Sequence, residues 1–179
     1  MKYFKKIEGD RIYLSPINIE DVELYVKWLN DFSVGDGTGF SQKVTTITKE
    51  KEWITKVHEK GEYQFAIIKK ENDTLIGNCG LNDINHLKQT GEIGIFIGEE
   101  SDRNKGYGTE AVKLLIKYGF EYLNLNNIML TAYSFNERAI KSYKKCGFKE
   151  FGRRHNVVTI KNKLYDDIYM EILKEDYFK

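Results

Sequence analysis

The clearest chemical signal in the sequence is a short run of charged residues and glycines, Arg103-Asn104-Lys105-Gly106-Tyr107-Gly108-Thr109. It lies between a predicted strand and a predicted helix. Glycines let the backbone approach a ligand closely, and the start of a helix presents N–H groups that lack intrahelical partners. Since Arg103 and Lys105 add positive charge, the run predicts a site for a pyrophosphate. An ordinary solvated strand-to-helix turn is the alternative that the spacing alone leaves open.

Two other phosphate-binding patterns fit this chain poorly. A Walker A loop requires Gly-x4-Gly-Lys-Ser/Thr, and the sequence contains no such run. The dinucleotide fingerprint Gly-x-Gly-x-x-Gly lacks its third glycine here, and the loop comes late in the chain rather than in a first βαβ unit. A nucleotide-binding oxidoreductase is therefore disfavoured.

The elements that must position the loop follow from hydrophobic periodicity. An amphipathic helix is predicted over 19–30, an irregular loop around 35–39, a second helix from Thr48 and a short helix over 137–146, stopped by Gly147. A further helix follows the charged loop. Strands are predicted over residues 11–15, 63–69, 74–82, 91–98, 128–134, 156–161 and 165–173. This order predicts a mixed α/β sheet of about seven strands with helices on both faces.

Composition excludes several classes of protein. The chain has 179 residues, of which 41% are hydrophobic, so it can bury a core and is not a disordered chain. Its 28 basic residues face 27 acidic ones, which argues against a nucleic-acid coat. The 2 cysteines and 3 histidines show no metal-ligand spacing, so no metal is expected. Without an apolar signal core or a span of about 20 apolar residues, we expect a cytoplasmic protein with no membrane partner.

Two blocks of sequence resemble a known family. The charged loop resembles the R/Q-x-x-G-x-G/A signature of the GNAT superfamily of N-acyltransferases, and residues 92–98 before it are similar to the branch of ribosomal-protein N-terminal and spermidine acetyltransferases. Residues 136–148 resemble the family's N-x-x-A-x-x-x-Y-x-x-x-G-F helix, and Asp166 and Met170 a D-x-x-x-M ending. The resemblance covers 11–175. It implies a single acetyltransferase domain with a three-layer, mostly antiparallel sheet, and acetyl-CoA as co-substrate.

The same resemblance implies where the coenzyme binds. Backbone N–H groups around Phe96, Ile97 and Gly98 would hold the pantetheine arm and meet the charge that develops on the thioester oxygen. Asn136 directly precedes a helix, which favours an N-cap role, and its family counterpart lies close to the coenzyme. The complete predicted set is Phe96, Ile97, Gly98, Arg103, Asn104, Lys105, Gly106, Tyr107, Gly108, Thr109, Asn136, Arg138, Ala139 and Tyr143.

Acetyl transfer to an amine also needs proton transfers. A free alkylamine titrates near pH 10, so a base must take its proton. Glu92 is the predicted base, because it shares a strand face with Gly94 and Gly98, whose missing side chains would leave room for substrate. Weaker candidates are Asp83, His86 and Glu99, and ordered water can replace a side-chain base. Tyr143 matches the family tyrosine that protonates the leaving thiolate, although a half-buried aromatic fits its spacing too.

The acceptor amine is expected to lie against residues 25–45, with Trp28, Asp31, Phe32 and Asp36 as substrate-binding residues. The resemblance leaves open a ribosomal-protein N-terminus, an amino sugar, an amino-antibiotic and a polyamine. Polyamine enzymes usually carry paired acids here, where this chain has Gly37-Thr38-Gly39, so a protein N-terminus is preferred. A homodimer is left open. The alternative from another class is a non-catalytic acyl-CoA-binding module, which the presence of Tyr143 disfavours.

Overall fold

The computed structural model describes all residues, Met1–Lys179, and contains a single eight-stranded sheet. The strands follow the order β1-β2-β3-β4-β5-β6-β8-β7. β5 pairs with β6 in parallel, whereas β1–β2, β2–β3, β6–β8 and β7–β8 are antiparallel. The strands are β1 (Ile7–Glu8), β2 (Ile12–Pro16), β3 (Tyr63–Lys69), β4 (Thr74–Asn85), β5 (Thr90–Ile97), β6 (Asn127–Tyr133), β7 (Lys149–Ile160) and β8 (Lys163–Leu173). The predicted mixed α/β class with a mostly antiparallel sheet is confirmed.

Six α-helices accompany the sheet, together with two short 3-10 turns, Ile19–Asp21 and Glu100–Asp102. The first turn leads directly into α1, and the second precedes the charged loop. The helices are α1 (Val22–Leu29), α2 (Phe32–Thr38), α3 (Ile47–Lys60), α4 (Tyr107–Glu121), α5 (Glu137–Lys145) and α6 (Lys174–Tyr177).

The segment expected to be an irregular loop around 35–39 is instead helix α2. Its N-terminus is capped by Asp31, whose Oδ1 accepts a hydrogen bond from the Ser33 N–H at 2.7 Å. Its C-terminus is Gly39, in the left-handed conformation at φ +77°. The prediction was wrong because the glycines lower helix propensity, whereas caps at both ends and burial of Val34 and Gly35 favour the helix.

Two other boundaries differ from the expectation. Thr46, rather than Thr48, caps α3, since its Oγ1 accepts from the Lys49 N–H at 3.3 Å. β7 begins at Lys149 rather than near residue 156. Its register against β8 shifts between Glu150 and Gly152 and again between Arg154 and Val158, and such shifts hide the alternation by which a strand is predicted.

The chain forms two compact units, each built from two segments. One unit comprises Met1–Gly80 and Ile95–Leu114, and the other Leu81–Gly94 and Leu115–Lys179. The core of the first is a cluster of buried side chains on α1, α3, β2 and β3, which includes Tyr13, Val22, Tyr25, Trp28, Ile54 and Ile68. The single domain expected over 11–175 stays a prediction.

In the second unit, α4 packs closely on β6. A Cβ atom at Gly119 would lie 2.7 Å from Ile128 Cδ1, so glycine is required there for the helix to approach. Cys79 and Cys146, one in each unit, are buried and form no disulfide. No helix has the length and apolar character needed to span a membrane. No three His, Cys, Asp or Glu side chains are grouped in a way that would hold a metal ion.

Candidate active site

The charged loop leads into α4 through two residues in the left-handed conformation, Asn104 at φ +61° and Gly106 at φ +85°. Asparagine tolerates this region and glycine adopts it freely. The first hydrogen bond of the helix runs from the Glu110 N–H to the Gly106 carbonyl at 3.0 Å. The N–H groups of Tyr107 and Gly108 belong to the first turn, where a helix offers no internal acceptor and carries partial positive charge. The loop therefore has the backbone geometry of an anion site.

The two glycines of the loop are explained in different ways. Gly106 is required by its own backbone, and a Cβ there would also lie 3.0 Å from Arg11 Nη2. At Gly108 a Cβ would make only ordinary contacts, 3.8 Å from Ile97 Cγ1 and 4.0 Å from Ile95 Cδ1. Nothing inside the protein excludes a side chain at 108. A side chain at 108 would, however, keep a ligand away from the backbone, so glycine at this position suits close approach of a ligand.

Arg11, which the sequence analysis missed, lies against this loop. Its Nη1 donates to the Lys105 carbonyl at 2.8 Å and its Nε to Glu110 Oε2 at 3.1 Å. Glu110 Oε1 in turn accepts from the backbone N–H groups of Arg11 at 2.8 Å and Ile12 at 3.2 Å. These contacts span more than 90 residues of sequence, so no local pattern could indicate them. Arg11 adds a guanidinium to the positive charge of the exposed Lys105.

The Arg103 side chain does not turn toward this loop. Its Nε donates to the Ile97 carbonyl at 3.2 Å and its Nη2 to the Gly98 carbonyl at 2.6 Å. Two further hydrogen bonds reach Ser33, from Nη2 to Oγ at 3.1 Å and from Nη1 to the carbonyl at 3.4 Å. The expectation that its charge serves the coenzyme's phosphates stays a prediction, and these contacts with the protein weigh against it.

The end of β5 is also more occupied than expected. The Gly98 N–H donates to the Ile76 carbonyl at 2.9 Å, so it is not directed at a ligand, which corrects the expectation for that residue. The Phe96 ring packs edge-on against Tyr25 and Trp28, with centroids 6.5 Å and 6.1 Å away. The side chain of Phe96 therefore serves the core, and its backbone N–H and that of Ile97 stay predicted donors.

Trp28 differs from the other predicted acceptor residues because it is only 1% exposed. Its Nε1 donates to Glu99 Oε1 at 2.9 Å, and its indole fills the space that a Cβ at Gly98 would occupy. Direct contact between Trp28 and a substrate is incompatible with this burial. Glu99 also accepts from Lys27 at 2.5 Å, and these two hydrogen bonds lower the pKa of its carboxyl group, which makes Glu99 a poor base.

Asp31, Phe32 and Asp36 lie at or in α2. The Asp31 carboxylate caps the helix, and its hydrogen bonds with Ser33 lower its pKa, with smaller contributions from the charges of Arg103 and Lys27. Asp31 is therefore anionic at neutral pH. Phe32 is 63% exposed, which is unusual for a phenylalanine, and Asp36 is half-buried.

In the other unit, Glu92 lies on β5 opposite Met129 of β6. It is half-buried, and one of its carboxylate oxygens accepts from Thr131 Oγ1 at 3.3 Å. The space expected beside Gly94 is partly filled, because a Cβ there would lie 3.0 Å from Asn82 Nδ2. Asp83 and His86 are exposed residues at and near the end of β4.

Helix α5 carries the remaining predicted residues. Asn136 caps it by accepting from the Ala139 N–H at 3.2 Å, which confirms the N-cap. Tyr143 packs edge-on against Phe148, with ring centroids 6.2 Å apart. Burial raises the pKa of Tyr143 to about 12, with a smaller increase from Cys146 that is opposed by the positive charge of Arg138. Tyr143 therefore keeps its proton at neutral pH, as a general acid must.

Comparison with known proteins identifies relatives of this chain. A family model described as an acetyltransferase (GNAT) domain matches residues 11–149. An uncharacterized N-acetyltransferase, p20 of Bacillus licheniformis, is 30% identical over 94% of this chain and 96% of its own length. The spermidine N(1)-acetyltransferase of Escherichia coli K12 is 29% identical over 93% of this chain and 88% of its own.

Among solved structures, the spermidine N-acetyltransferase of Vibrio cholerae in complex with CoA and spermine has the same fold. Its TM-score is 0.85 at 23% identity, with 96% of this chain and 100% of that one covered. Because the family model matches most of its length, the chain belongs to the GNAT family and is an acetyl-CoA-dependent N-acetyltransferase.

Proposed function

We propose that the protein acetylates a primary amine of a small polycation of the polyamine class, with one domain over residues 11–175. The observation that carries the coenzyme half of this proposal is the loop at Gly106 and Gly108, with its left-handed turn and its bare backbone at the start of α4. Acetyl-CoA supplies an acetyl group activated as a thioester. Everything else that the reaction requires must come from the chain or from water.

In this proposal the first-turn N–H groups of α4 hold the coenzyme's pyrophosphate, assisted by Lys105 and Arg11. Glu110 offsets part of the Arg11 charge, since the two side chains form an ion pair at 3.1 Å. The main attraction therefore comes from oriented backbone N–H groups, which are already fixed before the ligand arrives. Arg103 contributes its backbone to the loop rather than its charge.

Glu92 and Tyr143 are the proposed proton-transfer groups. Glu92 would take a proton from the ammonium of the acceptor, directly or through a water molecule, and Thr131 holds its carboxylate in place. Tyr143 would give its proton to the sulfur as the carbon–sulfur bond breaks. Burial raises the pKa of this phenol, so its proton is still present for transfer at neutral pH.

The polyamine class is favoured by the acidic residues of the acceptor segment. Because α2 is a helix rather than a loop, Asp31 and Asp36 are separated by only about 7 Å along its axis. Five residues of helix also turn the two side chains about 140° apart around the axis, so only a long, flexible polycation could reach both carboxylates. Their closeness still weakens the preference for a protein N-terminus drawn from the Gly37-Thr38-Gly39 run. The spermidine N(1)-acetyltransferase of Escherichia coli K12, which is 29% identical to this chain, is named for a polyamine substrate.

We further place the protein in the cytoplasm, where acetyl-CoA is available and where unbridged cysteines such as Cys79 and Cys146 are usual. We expect it to form a homo-oligomer, of which a dimer is the simplest unit. A structural relative from Vibrio cholerae, a spermidine N-acetyltransferase, has been solved as a dodecamer.

A screen of amines tests the proposal. Release of free thiol from acetyl-CoA would be followed with spermidine, spermine, a peptide with N-terminal alanine or serine, glucosamine and an aminoglycoside. We expect the largest kcat/KM with a polyamine, and no release with the Gly108→Glu variant. If the peptide gave the largest kcat/KM, the proposed acceptor would be a protein N-terminus rather than a polyamine. If no amine caused release of free thiol, the proposed transfer would be wrong, and a protein that binds the coenzyme without turnover would remain.

A further inference from the structure

We propose that Arg103 is a positioning residue for the acceptor side of the site: its guanidinium holds the start of α2 against the carboxyl end of β5. The inference rests on the proposed function, since it assigns Arg103 to recognition of the amine. It departs from the sequence-based expectation that this arginine contacts the coenzyme's phosphates.

The hydrogen bonds of Arg103 join two elements that are distant in sequence. On one side are the carbonyl groups of Ile97 and Gly98, at the end of β5. On the other side are the hydroxyl and carbonyl groups of Ser33, in the first turn of α2. A guanidinium is planar and always charged, with N–H groups that point in several fixed directions, so it suits a junction that must satisfy acceptors on both sides at once.

Ser33 links this junction to the predicted acceptor residues. Its N–H donates to Asp31, while its Oγ and carbonyl accept from Arg103. Phe32 lies between Asp31 and Ser33 in sequence, is directed outward and is 63% exposed. Fixing Ser33 therefore fixes the direction of Phe32 and of the Asp31 carboxylate. The charge of Arg103 also lowers the pKa of Asp31, although less than Ser33 does, so the same contact helps keep that carboxylate anionic.

The main chain of Arg103 continues directly into the anion loop. The next residue, Asn104, is the first of the two left-handed positions, and Gly106 is the second. A ligand bound to this preformed loop holds it more firmly, and so restrains the backbone of Arg103 and, through its side chain, Ser33. The structure thus provides a physical connection by which coenzyme binding would favour one arrangement of α2. By linkage, an amine bound at α2 would increase coenzyme affinity by the same factor.

Four variants test this assignment: Arg103→Ala, Arg103→Lys, Ser33→Ala and, as the comparison, Lys105→Ala in the loop. The readouts are the KM for the amine found in the screen, the KM for acetyl-CoA, and hydrogen exchange of residues 31–40 with and without CoA. We expect both Arg103 variants to raise the amine KM by about tenfold, the effect of losing one charge-assisted hydrogen bond. Their acetyl-CoA KM should change by less than about threefold.

Lysine should not rescue, because a single ammonium cannot reproduce the fork that reaches both elements. Ser33→Ala should have a smaller effect in the same direction, and it avoids the risk that loss of Arg103 prevents folding. Lys105→Ala should do the reverse and raise the acetyl-CoA KM. Exchange over 31–40 should increase in the Arg103 variants and lose its response to CoA.

If the Arg103 variants raise the acetyl-CoA KM as Lys105→Ala does and leave exchange over 31–40 unchanged, Arg103 is a phosphate ligand and the inference is wrong. The exchange measurement needs no turnover. A wild-type protein that acetylates none of the amines would overturn the proposed function, while exchange would still decide the role of Arg103.

Discussion

The guanidinium of Arg11 lies over the ring of Tyr107, with its central carbon 4.9 Å from the ring centroid. This cation–π contact connects the start of β2 with the first residue of α4. The same side chain donates to the Lys105 carbonyl, on the other side of Gly106. Arg11 therefore braces both ends of the left-handed turn at Gly106, and the loop is formed before any ligand reaches it.

Replacing Arg11 by alanine should weaken acetyl-CoA binding by about tenfold, because the loop loses a charge-assisted hydrogen bond and a cation–π contact. Binding can be measured by isothermal titration calorimetry. Lys113→Ala removes an exposed positive charge from the same helix and should leave affinity unchanged. Equal affinity losses in both variants would mean that the overall charge, rather than the bracing of the loop, controls binding.

Alanine at Gly106 should lower stability, whereas alanine at Gly108 should lower acetyl-CoA affinity. At Gly106 it must adopt φ +85°, which costs about 1–2 kcal/mol, so Tm should fall. At Gly108 the added methyl group meets only ordinary contacts, so Tm should hold while acetyl-CoA affinity falls. Thermal denaturation and calorimetry separate the two. A Gly108→Ala variant that binds acetyl-CoA as the wild type does would remove the backbone at 108 from the site.

Tyr143→Phe should lower kcat by about 100-fold and leave acetyl-CoA affinity unchanged, if the hydroxyl protonates the leaving thiolate. The acid form is present below the pKa of about 12 and is lost only as pH rises through it. Wild-type kcat should therefore show no decline from this group between pH 7 and about pH 10. Tyr122→Phe removes an exposed hydroxyl and is the matched control. Unchanged kcat in Tyr143→Phe would eliminate the general-acid role.

Glu50, on α3, gives the folded state a pH dependence unrelated to the reaction. Burial raises the pKa of its carboxyl group from its ordinary value of 4.5 to about 7. Below pH 4.5 the group is neutral in both the folded and unfolded states, so its ionisation takes nothing from the free energy of unfolding. As pH rises toward 7 the unfolded chain ionises first, and up to about 3 kcal/mol of stability is lost.

The variant Glu50→Gln removes this titration and should be more stable than the wild type at pH 8 while being similar at pH 4.5. Urea denaturation at the two pH values measures the difference. Glu52→Gln, an exposed position on the same helix, should show no such dependence. A stability gain for Glu50→Gln that is equal at both pH values would contradict the assignment.

The charged loop could be predicted from sequence because its features are local. Two glycines, two cations and the start of the following helix lie within seven consecutive residues, and each has a direct geometric meaning. The Asn136 cap was predictable for the same reason, since capping needs only the residue before a helix. Local signals of this kind survive in any tertiary context.

The contacts that modify the loop could not be predicted in this way. Arg11 and Arg103 reach partners 94 and 70 residues away, and the sequence shows their charge but not its direction. Arg103 was assigned to phosphate because it is next to the glycines, whereas its long side chain reaches back to Ser33. The burial of Trp28 was likewise invisible, since an indole fits a binding cleft and a core equally well.

Each compact unit is assembled from two stretches of chain that alternate along the sequence, and the boundaries fall inside β4, β5 and α4. Any fragment that contains all of one unit therefore also carries part of the other: residues 1–114 include 81–94 of the second unit, and residues 81–179 include 95–114 of the first. Gene fragments that encode residues 1–80 or 115–179 alone would lack part of their own unit. Deletion from either terminus therefore cannot isolate one unit without retaining a stretch of the other.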